Sequence, residues 1–271
     1  MSDMLAEVTG DLAAEHAALL AVIESLGSED WARPTHAPGW AVRDQVAHLA
    51  FFDGTATTAI VDPDRFVSEA AALNAEAAQG DPAYLTEARK LSVDKLFQHW
   101  KTSSERLVKA AHTLDATRRM PWYGPPMSAV SFITARLMEC WSHGLDVVDV
   151  VDVVGAGRPA TDRLRHVAHL GVRTRNFSYV ARGLEPNTEP MRVELLAPSG
   201  ELWVFGEPDA PNRIAGPAED FCQVVTQRRH VADTALEVTG AAAEEWMRLA
   251  QAFAGPPGEG RKPGQFTKAH P

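Results

Sequence analysis

Apolar residues recur every three or four positions through most of the first 155 residues, the period of a helix with one buried face. Leu5, Leu12, Leu19, Leu20, Ile23 and Leu26 predict a helix over 3–26, closed by Gly27. After a loop at 34–39, Val42, Val46, Leu49 and Phe51 or Phe52 predict a second helix over 41–60, and the same period continues over 64–79, 82–114 and 127–154. Five helices joined by short loops imply an antiparallel helical bundle over 1–155. A Gly/Pro break at 155–159 then ends the pattern, and Thr161 is placed to cap a further helix running to about 182.

Beyond Pro190 the period changes. Residues 191–197 and 201–206 are rich in Val, Leu, Trp and Phe and flank Pro198-Ser199-Gly200, which predicts a β-hairpin. A strand over 236–239 and helices over 217–228 and 241–253 complete a small α+β domain over 161–254. The Gly/Pro-rich stretch 255–271 has the composition of an extended tail on the surface. The fold class expected is therefore α+β, an N-terminal helical bundle followed by a small mixed domain.

Composition narrows the function classes. With 45% apolar residues the chain folds, and 26 basic against 36 acidic residues give a net charge of −10, which disfavours nucleic acid and anionic lipid as partners. No apolar run approaches the roughly 20 residues that span a bilayer, and the start is acidic where a signal peptide is basic. A cytoplasmic protein is expected. Cys140 and Cys222 show no paired spacing and suit buried, reduced thiols.

Three histidines follow an acid by four residues: Asp44/His48, Glu139/His143 and Asp162/His166. Such pairs stack on one helix face and can reach one cation. Asp162 sits at a helix start beside Arg163 and Arg165, where the helix dipole explains it. His48, Glu139 and His143 lie instead within apolar helices, where a metal site and a buried structural His–Glu hydrogen bond are both open readings.

The stretch Pro38-Gly39-Trp40-Ala41-Val42-Arg43-Asp44-Gln45-Val46-Ala47-His48-Leu49 resembles the W-x-V-x-D-x-x-x-H-L signature of the DinB/YfiT-like superfamily, and within it the mycothiol-dependent maleylpyruvate isomerase branch. The run from Glu139 through His143 and Gly144 to Asp146 is similar to that branch's second motif. The resemblance implies a DinB-like bundle in which His48, Glu139 and His143 bind a divalent metal, usually zinc. It also implies a sterol-carrier-protein-like second domain and mycothiol as a thiol cofactor. Three protein ligands leave a position open for water or substrate, as in catalytic zinc sites. Such a metal favours the thiolate of a small thiol, so the expected activity is thiol transfer to, or isomerisation of, an electrophilic small molecule. The same donors also suit nickel, iron(II) or manganese. A hydrolase using metal-bound hydroxide, or a non-enzymatic protein that binds a metal or small ligand, are the alternative classes.

Around these ligands, Asp44 and Asp146 are candidates to hold the histidine rings, and Trp40 and Trp141 to wall a pocket for the cofactor. A charge partner for the substrate is expected from Arg228 or Arg229 in a cleft between the domains, with Arg136, on the face of Glu139 and His143, as the competitor. Val225, Thr226 and Gln227 stand where the family has aromatic and Gly residues before its arginine.

Overall fold

A computed structural model describes residues 2–76, 83–151 and 158–266. The chain divides into two compact units, Met1–Arg158 and Pro159–Pro271. The first is helical and the second has a four-stranded sheet, so the fold class is α+β, as the change of period implies.

The N-terminal unit contains α1 (Ser2–Glu24), α2 (Val42–Val61), α3 (Pro63–Glu76), α4 (Ala83–Ala88), α5 (Val93–Ala111) and α6 (Ala129–Val148). Helix α2 lies against α5, α6, α3 and α4, while α1 covers α5 and α6. The buried face of α1 carries Leu5, Val8, Leu12, Leu19 and Ile23, and that of α2 carries Val42, Val46 and Leu49. Of these, Leu19, Ile23, Val42, Val46 and Leu49 join Leu96, Trp100, Cys140 and Val147 in one core.

Two helix boundaries differ from the periodic reading. The helix expected over 82–114 is broken at 89–92, because Ser92 restarts it by accepting the Lys95 N–H at 3.4 Å. Arg43 of α2 donates to the carbonyls of Ala88, Arg89 and Leu91, satisfying groups that a continuous helix would have used. The helix expected from Met127 opens at Ala129, since Met127–Ser128 (β2) pairs antiparallel with Arg119–Met120 (β1). Parts of three expected elements, at 77–79, at 82 and at 152–154, lie outside the described residues.

In the C-terminal unit the helix expected over 161–182 is two, α7 (Leu164–Arg173) and α8 (Arg175–Val180). At the break the Thr174 hydroxyl donates to the Leu170 carbonyl at 2.9 Å, competing with the helical ladder. The hairpin of β3 (Met191–Leu196) and β4 (Leu202–Phe205) pairs Leu196 with Leu202. A strand absent from the sequence reading, β5 (Asn212–Pro217), runs parallel to β3 and antiparallel to β6 (Glu237–Thr239). Its Asn-Arg-Ile-Ala-Gly-Pro sequence ends in two turn-forming residues and hides the strand. Gly216 is nevertheless required there, at φ 144° with the Ala235 carbonyl oxygen 3.1 Å from where a Cβ would stand.

Helices α9 (Ala218–Val225) and α10 (Ala241–Leu249) add Phe221, Val225 and Trp246 to the core of this unit. Residues 255–266 form no helix or strand, and the Asp233 carboxylate accepts the N–H groups of Gly264 and Phe266. No helix among the described residues is long and apolar enough to cross a membrane.

Candidate metal centre

The packing of α2 on α6 brings His48 to Glu139 and His143, with one ligand atom from each within 4.8 Å of the others. Glu139 Oε2 lies 3.1 Å from His143 Nε2 and 3.5 Å from His48 Nε2. Among the described residues this is the one such group of His, Cys, Asp and Glu able to hold a metal. Their side chains keep 16, 20 and 12% exposure for His48, Glu139 and His143, so the group is reachable from solvent.

The outer ring nitrogens are held as well. His143 Nδ1 is 2.6 Å from Gln45 Oε1, and His48 Nδ1 is 2.9 Å from the Tyr84 hydroxyl. The Gln45 contact has a direction that the neighbouring bonds set. Thr35 donates its hydroxyl to the Trp40 carbonyl at 2.9 Å, so it accepts from Gln45 Nε2 at 2.9 Å, which turns the Gln45 oxygen toward His143. His143 Nδ1 therefore carries the hydrogen, and in the neutral ring Nε2 presents a lone pair to a carboxylate oxygen 3.1 Å away. Two acceptors at that distance call for a positive charge between them, either a proton or a cation. Two imidazole nitrogens and one carboxylate, with the rings oriented from behind, form a donor set that fits a divalent metal.

The electrostatics agree with that use. Burial, then the His143 charge, push His48 down to about 4 against the opposing pull of Glu139. Burial alone would raise Glu139, but the His143 and His48 rings, which donate to it when protonated, outweigh that and hold the carboxyl well below its ordinary range. His48 is thus unprotonated and Glu139 ionised near neutral pH, the forms a metal requires.

The family model of the mycothiol maleylpyruvate isomerase N-terminal domain matches residues 12–148, a span that includes all three residues. The chain belongs to this family. Two uncharacterized proteins of Mycobacterium tuberculosis, from strains CDC 1551 and H37Rv, are each 46% identical to it over 253 residues, 93% of this chain and 96% of theirs. Solved structures of the mycothiol-dependent maleylpyruvate isomerase, one of them a mutant, match with a TM-score of 0.56 at 14 and 15% identity. They cover 88% of this chain and 93% of that protein, and at such identity the likeness concerns the fold.

Within this mycothiol maleylpyruvate isomerase family domain the other candidate residues separate. Trp40 stacks on His143, with ring centroids 6.0 Å apart and planes at 18°, and stands 5.5 Å from His48. Trp141 is buried two positions beyond Glu139, on another side of α6, and its carbonyl accepts from Arg158 at 3.0 Å. Asp44 does not hold His48. It accepts the Ala41 N–H at the start of α2 and pairs with Arg89, each at 2.9 Å. Asp146 stops 3.9 Å from His143 Nδ1, where Gln45 makes the hydrogen bond instead.

Arg136 is committed elsewhere. Its Nη2 and Nε donate to Asp53 Oδ1 at 2.9 and 3.3 Å, with both residues buried. Asp53 also accepts the Trp100 indole N–H at 3.2 Å and faces His16 Nε2 at 3.3 Å. In the C-terminal unit Arg228 donates to the Thr226 carbonyl at 2.8 Å, and Arg229 lies 3.7 Å from the Phe266 ring centroid.

Sequence reasoning missed Gln45, Tyr84 and Thr35. Gln45 precedes His48 by three and shares its helix face, a signal that was available; Tyr84 comes from a separate helix and had none.

Proposed function

We propose that the chain is a metal-dependent enzyme in which His48, Glu139 and His143 hold a divalent ion, zinc being the metal that the family resemblance implies, to activate a low-molecular-weight thiol. Kinship with the mycothiol-dependent isomerase points to mycothiol as that thiol, and to transfer to or isomerisation of an electrophilic small molecule as the reaction. The observation that supports the reading is the convergence of His48, Glu139 and His143, with the His143 ring turned to that point by the Gln45–Thr35–Trp40 chain.

The bound ion would supply Lewis acidity that favours the thiolate. Tyr84 and Gln45 keep both rings turned inward, and Trp40 covers one face of His143 against water. The chain's own thiols are unsuited to the reaction: Cys140 and Cys222 are buried, and burial pushes the Cys222 thiol well up. The nucleophile therefore comes from outside.

The test is to measure metal content in the purified chain and in His48→Ala, Glu139→Gln and His143→Ala, then to follow loss of thiol with metal-loaded protein and candidate electrophiles. Stoichiometric metal that each variant loses, with thiol-dependent turnover, supports the reading. Turnover without thiol would make the protein a metal-dependent hydrolase, and bound metal without turnover of any electrophile would leave it a binding protein.

A further inference from the structure

We infer that the bundle side of this site accepts a flat, uncharged apolar group, so that the electrophile carries an aromatic or similarly planar moiety beside its reacting atom. The inference rests on the metal reading above and goes beyond it by naming a substrate class.

Aromatic rings from four separate segments meet at the ligand histidines. Trp40, from the loop before α2, stands over His143 and 5.5 Å from His48. Phe52 of α2 has its centroid 4.4 Å from the His48 ring, and Tyr84 of α4 lies 6.2 Å from it. From Phe52 the surface continues to Tyr123 at 5.7 Å and Trp122 at 6.3 Å, both in the turn between β1 and β2. These five rings are half-buried, whereas Phe66 and Trp100, which serve the bundle core, are sealed from solvent. A core would close over such rings. Here each residue keeps part of its surface exposed, as do the two candidate ligand histidines beside them.

The cations nearest this surface already have partners, including Arg136, whose guanidinium carbon stands 6.0 Å from the Phe52 centroid. Arg136 is bound to Asp53, Arg43 to the carbonyls of Ala88, Arg89 and Leu91, and Arg89 to Asp44. A carboxylate placed against the rings would lose hydration and meet only cations already neutralised or hydrogen-bonded, while a planar apolar group gains both buried area and stacking. A reacting atom anchored at the metal puts the neighbouring part of its molecule against these rings, because Phe52 and Trp40 directly adjoin the ligand imidazoles.

Hydroxamates of differing tail provide the test, since each would present the same metal-binding head. Acetohydroxamate, benzohydroxamate and succinic monohydroxamate are titrated by calorimetry into the zinc-loaded full chain, and their affinities are compared with those for free zinc. The expected result is benzohydroxamate binding at least tenfold tighter than acetohydroxamate, beyond the ratio shown by the free ion, and no such gain for the carboxylate-bearing tail. In Tyr123→Ala, which leaves the rings beside the ligand histidines in place, the aryl advantage should fall below threefold with metal content and acetohydroxamate affinity retained. Equal binding of the acetyl and benzoyl compounds, or a preference for the succinyl one, overturns the inference while leaving the metal site standing. Failure of the chain to retain zinc or to bind acetohydroxamate at all is a different pattern, and it overturns the metal reading and this inference with it.

Discussion

Gln45 Oε1 lies 2.6 Å from His143 Nδ1, and this contact decides which way His143 offers its lone pair. The amide cannot be reversed without cost, because its nitrogen is the donor that the Thr35 hydroxyl needs. Gln45→Leu should therefore weaken metal binding by about tenfold or more while the helix persists. Competition with a chromogenic chelator measures it, and unchanged affinity would remove Gln45 from the site's support.

Tyr84→Phe removes only the hydroxyl at His48 Nδ1 and keeps the ring stacked on Phe51. Metal affinity should fall here too, with little change in thermal stability. A drop in stability with metal binding intact would mean that the hydroxyl serves folding rather than ligand orientation.

The metal-free protein should lose stability on acidification. His48 has an ordinary value of 6.5 and a folded value of about 4, so its contribution is fully present above about pH 6.5 and is lost as pH falls through about 4. Glu139, also depressed, adds loss of the same sign at lower pH. Thermal denaturation of chelator-treated protein across this window should show a shallower pH dependence in His48→Gln than in the wild type. Parallel curves for the two would refute the assignment.

Asp53→Ala leaves the Arg136 guanidinium buried without its counter-charge, which should cost about 3–5 kcal/mol. The double variant Asp53→Leu/Arg136→Met should recover much of that in urea denaturation, since the penalty comes from the orphaned charge rather than from lost attraction. No recovery would place the loss in the contacts that Asp53 also makes with Trp100 and His16.

Much of the architecture was written in periodicity. Helices α1, α2 and α6 and the β3–β4 hairpin follow from which residues face a core, a local property that spacing records directly. The one-turn relation of Glu139 to His143 is local in the same sense. Nothing local ties His48 to them, and only the resemblance of its surrounding motif suggested a shared site before α2 was seen against α6.

The tertiary structure decided the rest, and for a common reason: the partner in each case comes from elsewhere in the chain. Arg43 could end α4 because α2 runs beside it, and β5 became a strand because β3 and β6 offered edges to a sequence with weak strand character of its own. Asp44 spaces correctly to support His48, yet the free N–H groups at the start of α2 and Arg89 claim its carboxylate, and Gln45 and Tyr84 hold the rings instead. Sequence determined which faces are buried and which residues carry chemistry; packing determined which hydrogen-bond partners those residues find, because a side chain is satisfied by whatever reaches it in space.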